Sequence, residues 1–312
     1  MTVVGSLRRA GAPHALRLLR GDRFAFAAAV VLTVVVLGSV VGTPLLRTAA
    51  VTVDLSRRNL PPFEGEHGAL FVLGADALGR SVLARIVVGG TTTLSIAVTA
   101  MLVAVVVGGL LGLVMGTSRG WVDLLGMRVT DMMLSFPTLL LAVVLIYLFQ
   151  PSFLILVGVL AVTRIPAYAR VARAEALDVS ARDFVLGARA LGAGRPRILF
   201  RHVTPVVAPT LLTLGAVDLA YVILLESSLS FLGQGVQPPG MSWGLLVAEG
   251  RNYLLTAWWL SLFPGLAITV TTISLNLLSG WLRMILDPRQ RWRVENSRTT
   301  RRLRRAQDGG AR

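Results

Sequence analysis

Three ionisable side chains stand where water is scarce. Arg164, Asp218 and Glu226 lie within or at the ends of long apolar runs. An ionised group near the middle of a membrane helix costs roughly 2.5–3.5 kcal/mol on insertion scales, so a partner or a function is the default explanation. The chemistry open to them is ion pairing or the lining of a polar path. Arg164 lies about 18 Å into its span counted from Ser152, and Asp218 about 20 Å into its own from Pro205, at about 1.5 Å per residue. In a hydrocarbon core about 30 Å thick these levels differ by roughly 8 Å, which an arginine side chain can nearly span. We expect Arg164 and Asp218 to face the interior of a helix bundle and either pair or line the path. The alternative is that Arg164 snorkels to the interface while Asp218 bonds within its own bundle. Glu226 falls near the far end of its span, where its cost is smaller. Covalent chemistry finds little support. The chain has no cysteine, its 31 basic residues are all arginine, and its three histidines, His14, His67 and His202, lack ligand spacing. Thiolate metal sites, Schiff bases and the lysine of a phosphate-binding loop are thereby excluded. No Ser/His/Asp set or carboxylate pair is placed for catalysis, so neither a catalytic nor a metal-binding residue is expected.

The elements that must hold these residues are membrane spans. Of 312 residues, 54% are hydrophobic and only 15% charged, against about a quarter charged in soluble domains. Six apolar segments follow in order: 24–46, 91–115, 132–149, 152 to about 171, 205 to about 232, and 259 to about 282. The first is longer than the apolar core of a signal peptide, roughly 7–15 residues, and reads as a retained anchor. Residues 47–90 form an exposed loop with a short helix around 78–88, and 117–131 a polar connection. Gly108, Gly109, Gly112 and Gly116 sit at the spacing that lets helix backbones approach closely in lipid. A basic arm (1–23) precedes this all-α membrane domain (24–289). A basic tail (290–312), expected to be disordered, follows it.

The longest polar stretch between spans is Ser180–Pro205. Ser180 can cap a helix with Asp183 in the capping-box position. Phe184, Val185, Ala188 and Leu191 make one apolar face, with Arg182 and Arg189 off it. Gly192 and Gly194 suit a left-handed helix end, and Pro196 can begin a new helix. The apolar face must lie either in the lipid interface or in a groove on a soluble partner. With six spans both termini share a side, and 25 of the 31 arginines fall on that side against six on the other. The positive-inside rule makes it the cytoplasm. The net charge of +15 is therefore accounted for by topology and lipid attraction rather than by nucleic acid.

At this point the sequence resembles the permease subunits of ABC importers, in the dipeptide, oligopeptide and nickel group of binding-protein-dependent systems. The resemblance runs from about Leu16 to Arg289. It is carried by LGADALGRSVLARIVVGG (Leu73–Gly90), GWVDLLGMRVTDMMLSFPTLLLA (Gly120–Ala142), PAYARVARAEAL (Pro166–Leu177), DFVLGARALGAGRPRILFRHVTP (Asp183–Pro205), LLESSLSFLGQGVQPPGMSWG (Leu224–Gly244) and LFPGLAITV (Leu262–Val270). In that family's cytoplasmic EAA motif, the Glu-Ala-Ala triplet corresponds to Leu186-Gly187-Ala188, the fixed glycine to Gly192 and the closing Leu-Pro to Thr204-Pro205. Leu186 for Glu and Thr204 for Leu are departures, and the first removes a salt bridge from that position.

The resemblance implies a type I importer fold: six transmembrane helices with a cytoplasmic coupling helix docked in a cleft on a separate ATPase dimer. It implies a bacterial inner-membrane location, no cofactor on this chain, ATP and Mg on two ATPase subunits (or one heterodimer), a second homologous permease and an extracytoplasmic solute-binding protein. It also answers the earlier question in favour of a groove. Phe184 and Leu191 would fill it, Arg182, Arg189 and Arg201 would pair with acids at its rim, and Asp183, Leu186, Gly187, Ala188, Gly192 and Pro205 would shape the loop. Dipeptide, oligopeptide, glutathione-like peptide and nickel all remain open as solutes. A stand-alone secondary transporter or channel would want broken helices in matched halves and no such loop. A membrane-anchored interaction protein would depend on the basic tail.

Overall fold

The computed structural model describes Leu19 and residues 22–64, 68–118, 120–149 and 152–286. The 290–312 tail, most of the N-terminal arm, His14, His67 and Arg119 lie outside the described residues. Helix α1 (Arg23–Val51) begins at Asp22, whose carboxylate accepts from the amides of Phe24 and Ala25. It passes the expected end of the first span by five residues. Helix α2 (Val82–Ser118) is one rod of 37 residues, about 55 Å long. The short helix and the second span foreseen separately are thus one element, because no residue between Val88 and Thr91 breaks the hydrogen-bond ladder.

The third span differs more. Helix α3 (Trp121–Ser135) and helix α4 (Thr138–Leu148) meet at a 95° bend. Phe136 is extended there, at φ −86° and ψ 137°. Pro137 causes it, since its ring excludes the helical region for the residue before it and its nitrogen has no hydrogen to donate. The supposed connection 117–131 is therefore mostly α3, and the apolar run 132–149 is split between two helices. With 11 residues, α4 spans about 16 Å and cannot cross a membrane alone. Among the described residues five helices are long and apolar enough to cross, or six if α3 and α4 together count as one.

Helix α5 (Phe153–Ser180) is capped by Ser152, which accepts from the Ile155 amide. The short helix α6 (Asp183–Ala190) follows. Helix α7 (Arg195–Phe231) starts ten residues before the expected span and includes a wider π-type winding over Ile198–Val203 just ahead of Pro205. Helix α8 (Trp243–Gly250), capped by Ser242, and helix α9 (Trp259–Leu286) complete the chain.

Small residues decide the closest contact. A Cβ on Gly108 would lie 2.6 Å from the Ile165 carbonyl, and one on Gly116 2.7 Å from Ala176 Cβ. One on Gly112 would collide with the Ala169 carbonyl. Three successive turns of α2 therefore lie directly on α5, as the glycine spacing led us to expect. Besides smaller clusters around Ala84 and Trp259, two larger apolar cores result. One joins Ile96, Leu156, Leu160, Ile223, Leu229 and Trp243. The other, at the α6 end, joins Leu113, Ala172, Val179, Val185, Ile198 and Val203. Large apolar side chains such as Val34, Leu45, Leu102, Val106 and Leu140 point outward. That inversion is stable only against lipid or a further apolar partner.

Candidate functional site

Helix α6 hangs between α5 and α7 on connections of two and four residues. Its first turn carries Asp183, where a negative charge favours the helix dipole. The expected Ser180 cap does not form. Ser180 is the last residue of α5, its buried hydroxyl has no hydrogen-bond partner, and Arg182 occupies the cap position without a side-chain bond. The physical reason is the second core. Val179 and Val185 are both fully buried in it, and holding Val179 there keeps α5 helical through Ser180.

The C-terminal end matches expectation at Gly192, whereas Gly194 is extended rather than left-handed, at φ −67° and ψ 160°, because it leads into the next helix. Gly192 has φ +83°, its amide donates to the Arg189 carbonyl at 3.0 Å, and the Ala193 amide donates to the Ala188 carbonyl at 3.1 Å. This is the Schellman closure that glycine permits. Gly187 sits within the helix and faces open space.

The predicted apolar face divides in two. Val185 is fully buried and Ala188 half-buried against the chain's own core. Phe184 (47% exposed), Leu186 (47%) and Leu191 (91%) point away from it. Arg182 pairs with Asp178 of α5 at 2.6 Å. Arg189 and Arg201 are exposed and form no ion pair among the described residues. Pro205 lies half-buried in the first turn beyond the wider winding.

Deeper in the bundle, Arg164 of α5 and Asp218 of α7 meet. Arg164 Nε donates to Asp218 Oδ2 at 3.0 Å, and Nη2 donates to Oδ1 at 2.7 Å and Oδ2 at 2.6 Å. The guanidinium also lies over the Tyr221 ring, 4.7 Å from its centroid. The depth estimate from sequence thus led to a direct pair. The aromatic neighbours were missed, although Tyr168 stands four residues after Arg164 and Tyr221 three after Asp218, the spacing of one helix face. Tyr168 is fully buried and its hydroxyl has no hydrogen-bond partner among the described residues.

Among the described residues Glu226 has no ion-pair partner. It is completely enclosed, accepts from Ser230 Oγ at 2.7 Å, and Ser230 in turn accepts from the Val236 amide. Nearby, the Trp243 amide donates to Thr93 Oγ1 and its indole to the Ile86 carbonyl. This polar knot ties α7 and α8 to α2.

Ion pairs also join stretches that sequence reading treated separately. Arg173 of α5 forms a two-pronged pair with Asp123 of α3, and Arg170 meets Asp131 at 2.6 Å. At the other end of the bundle the buried Arg85 bridges Asp76 and Glu249 at 2.7 and 2.8 Å. Apart from Arg85–Asp76, nine residues apart, separations of 39 to 164 residues left no local signal for these contacts.

Long apolar helices with large apolar side chains turned outward are the arrangement of a multi-pass membrane protein. The family described as binding-protein-dependent transport system inner membrane component matches residues 108–292. The chain belongs to this family. It is the permease of an ABC importer, a multi-pass inner-membrane protein. The permease is 38% identical over 276 residues to a Brucella suis protein named as a peptide transport system permease, covering 88% of this chain and 90% of that one. It is 38% identical to the di/tripeptide transport system permease of Pseudomonas aeruginosa, over 73% of this chain and 76% of the other. It is 36% identical to the glutathione transport system permease of Pectobacterium atrosepticum, over 70% and 72% of the two chains.

Proposed function

We propose that this permease forms half of a translocation path for peptides and couples it to a separate ATPase through α6. The relatives named for peptide, di/tripeptide and glutathione transport support the solute class. The α6 end of the bundle faces the cytoplasm, with both termini on that side, in keeping with the arginine distribution. A second homologous permease completes the path, a solute-binding protein delivers from outside, and two ATPase subunits hold ATP and Mg. This chain carries no catalytic group of its own. Closure of the ATPase dimer pulls α6, and the spans rock between inward-open and outward-open states. Arg164 and Asp218 border the path. Glu226, closed off in its knot, holds the path's outer boundary.

The observation that carries this reading is the division of α6. One buried valine anchors it, while among the described residues Phe184 and Leu186 are left about half exposed and Leu191 almost wholly so. Burying one such side chain in a cleft stabilises docking by about 1.5–3 kcal/mol. Phe184→Ala and Leu191→Ala together should therefore weaken retention of the ATPases by at least about a hundredfold, measured by co-purification from detergent. Deletion of Asp183–Leu191 should abolish it. Full retention in the deletion variant would sink the proposal.

A further inference from the structure

We propose that Arg164 and Asp218 form a permanent clasp that makes α5, α6 and α7 a single rigid lever. This rests on the reading of α6 as the coupling helix and adds how its movement reaches the middle of the membrane. The two legs of the hairpin are held unequally. Leg α5 is zipped onto α2 along Gly108, Gly112 and Gly116. Leg α7 packs far less extensively on α5 than α2 does. Near α6 the legs are joined by the apolar core of Val179, Val185, Ile198 and Val203. Toward their far ends Leu156 and Leu160 of α5 share a second apolar core with Ile223 and Leu229 of α7, but apolar contacts are non-directional and do not by themselves stop the legs sliding or turning against each other.

The clasp lies between the two cores. Arg164 is 16 residues before Ser180, about 24 Å along α5, and Asp218 lies about 21 Å beyond Thr204 on α7. Its geometry resists both separation and rotation. Two guanidinium nitrogens engage both carboxylate oxygens, and Tyr221 covers the guanidinium face. The pair is largely enclosed, with side-chain exposures of 18% and 9%. Opening it would strand an uncompensated charge on each helix in surroundings of low dielectric, far less favourable than opening a surface pair. A clasp that stays shut through the cycle is the economical arrangement, and it makes Arg164 and Asp218 positioning residues rather than groups that handle solute.

The test uses the complete transporter reconstituted in vesicles, with solute uptake per ATP hydrolysed as the readout. Asp218→Asn should lower that ratio about tenfold, with ATP hydrolysis retained. The apolar double variant Arg164→Met/Asp218→Leu, which strands no charge, should recover it to within about threefold. Because the chain has no cysteine, Arg164→Cys/Asp218→Cys can be bridged by a short bifunctional thiol reagent, and the bridged protein should transport at least as well as the unbridged one. Transport abolished by bridging would show that the pair must open, and would overturn the clasp. So would a Met/Leu variant no better than Asp218→Asn, which would assign the side chains to the solute. If Asp218→Asn does not assemble, the Met/Leu and bridged variants decide alone. All of these variants leave α6 intact, so retention of the ATPases in the α6 deletion separates failure of the coupling reading from failure of the clasp.

Discussion

Ser230 holds more of this molecule together than its size suggests. Its hydroxyl donates to the enclosed Glu226 and accepts from the Val236 amide, so one atom fixes both a buried carboxyl and the loop after α7. Ser230→Ala removes both bonds and leaves two polar groups without partners. Each unsatisfied group costs about 1–3 kcal/mol, so a clear fall in the thermal unfolding midpoint in detergent is expected. Ser228→Ala is the control, because that exposed hydroxyl bonds only its own helix, and it should change little. Much at this scale could be read from sequence. The left-handed Gly192 follows from residue type, and the depths of Arg164 and Asp218 made a pair one of the arrangements open to them. The Ser180 cap does not form, because a capping preference of about 1 kcal/mol competes with burial of Val179 and Val185 and loses.

At the level of elements, helix contacts in lipid cannot draw on a difference in hydrophobicity and depend on close fit. Gly112→Val would place three carbons against the Ala169 carbonyl and Ala172, where one already collides. The helices must separate, and we expect lower yield of folded protein and loss of cross-linking between cysteines placed on α2 and α5. Gly158→Ala should be tolerated, since nothing lies within 4 Å of a Cβ there. The α3–α4 bend is a second element-level device. Pro137→Ala restores an amide hydrogen and relieves Phe136, so spin labels at Trp121 and Leu148 should move apart from their bent separation toward the value of about 40 Å for one continuous rod. An unchanged distance would mean that Arg173–Asp123 and Arg170–Asp131 set the bend rather than the proline.

For the whole molecule, the outward apolar surface is a statement about solvent. Val34 lies near the middle of α1 and is 65% exposed, so Val34→Arg should cost about 2.5–3.5 kcal/mol in insertion. A translocon insertion assay on that segment should register the drop. The same assay should register little change for Arg23→Ala, at the start of the helix.

What the sequence by itself determined was the class of the molecule, its apolar segments, the exposed elbow between the fourth and fifth of them, and the depth of its buried charges. Each of these depends on residue type at a spacing along one chain, and hydropathy and helical period report them directly. What only the tertiary structure decided was where apolar runs are cut, and which side of α6 is spent on its own core. Averaging hydropathy over 132–149 is blind to a proline that turns the chain aside, and a helical face looks uniformly apolar until packing claims Val185 and leaves Phe184 and Leu191 outside. Long-range pairs such as Arg85–Glu249 and Arg173–Asp123 carry no local signal at all, because the charge that makes each residue tolerable belongs to another helix.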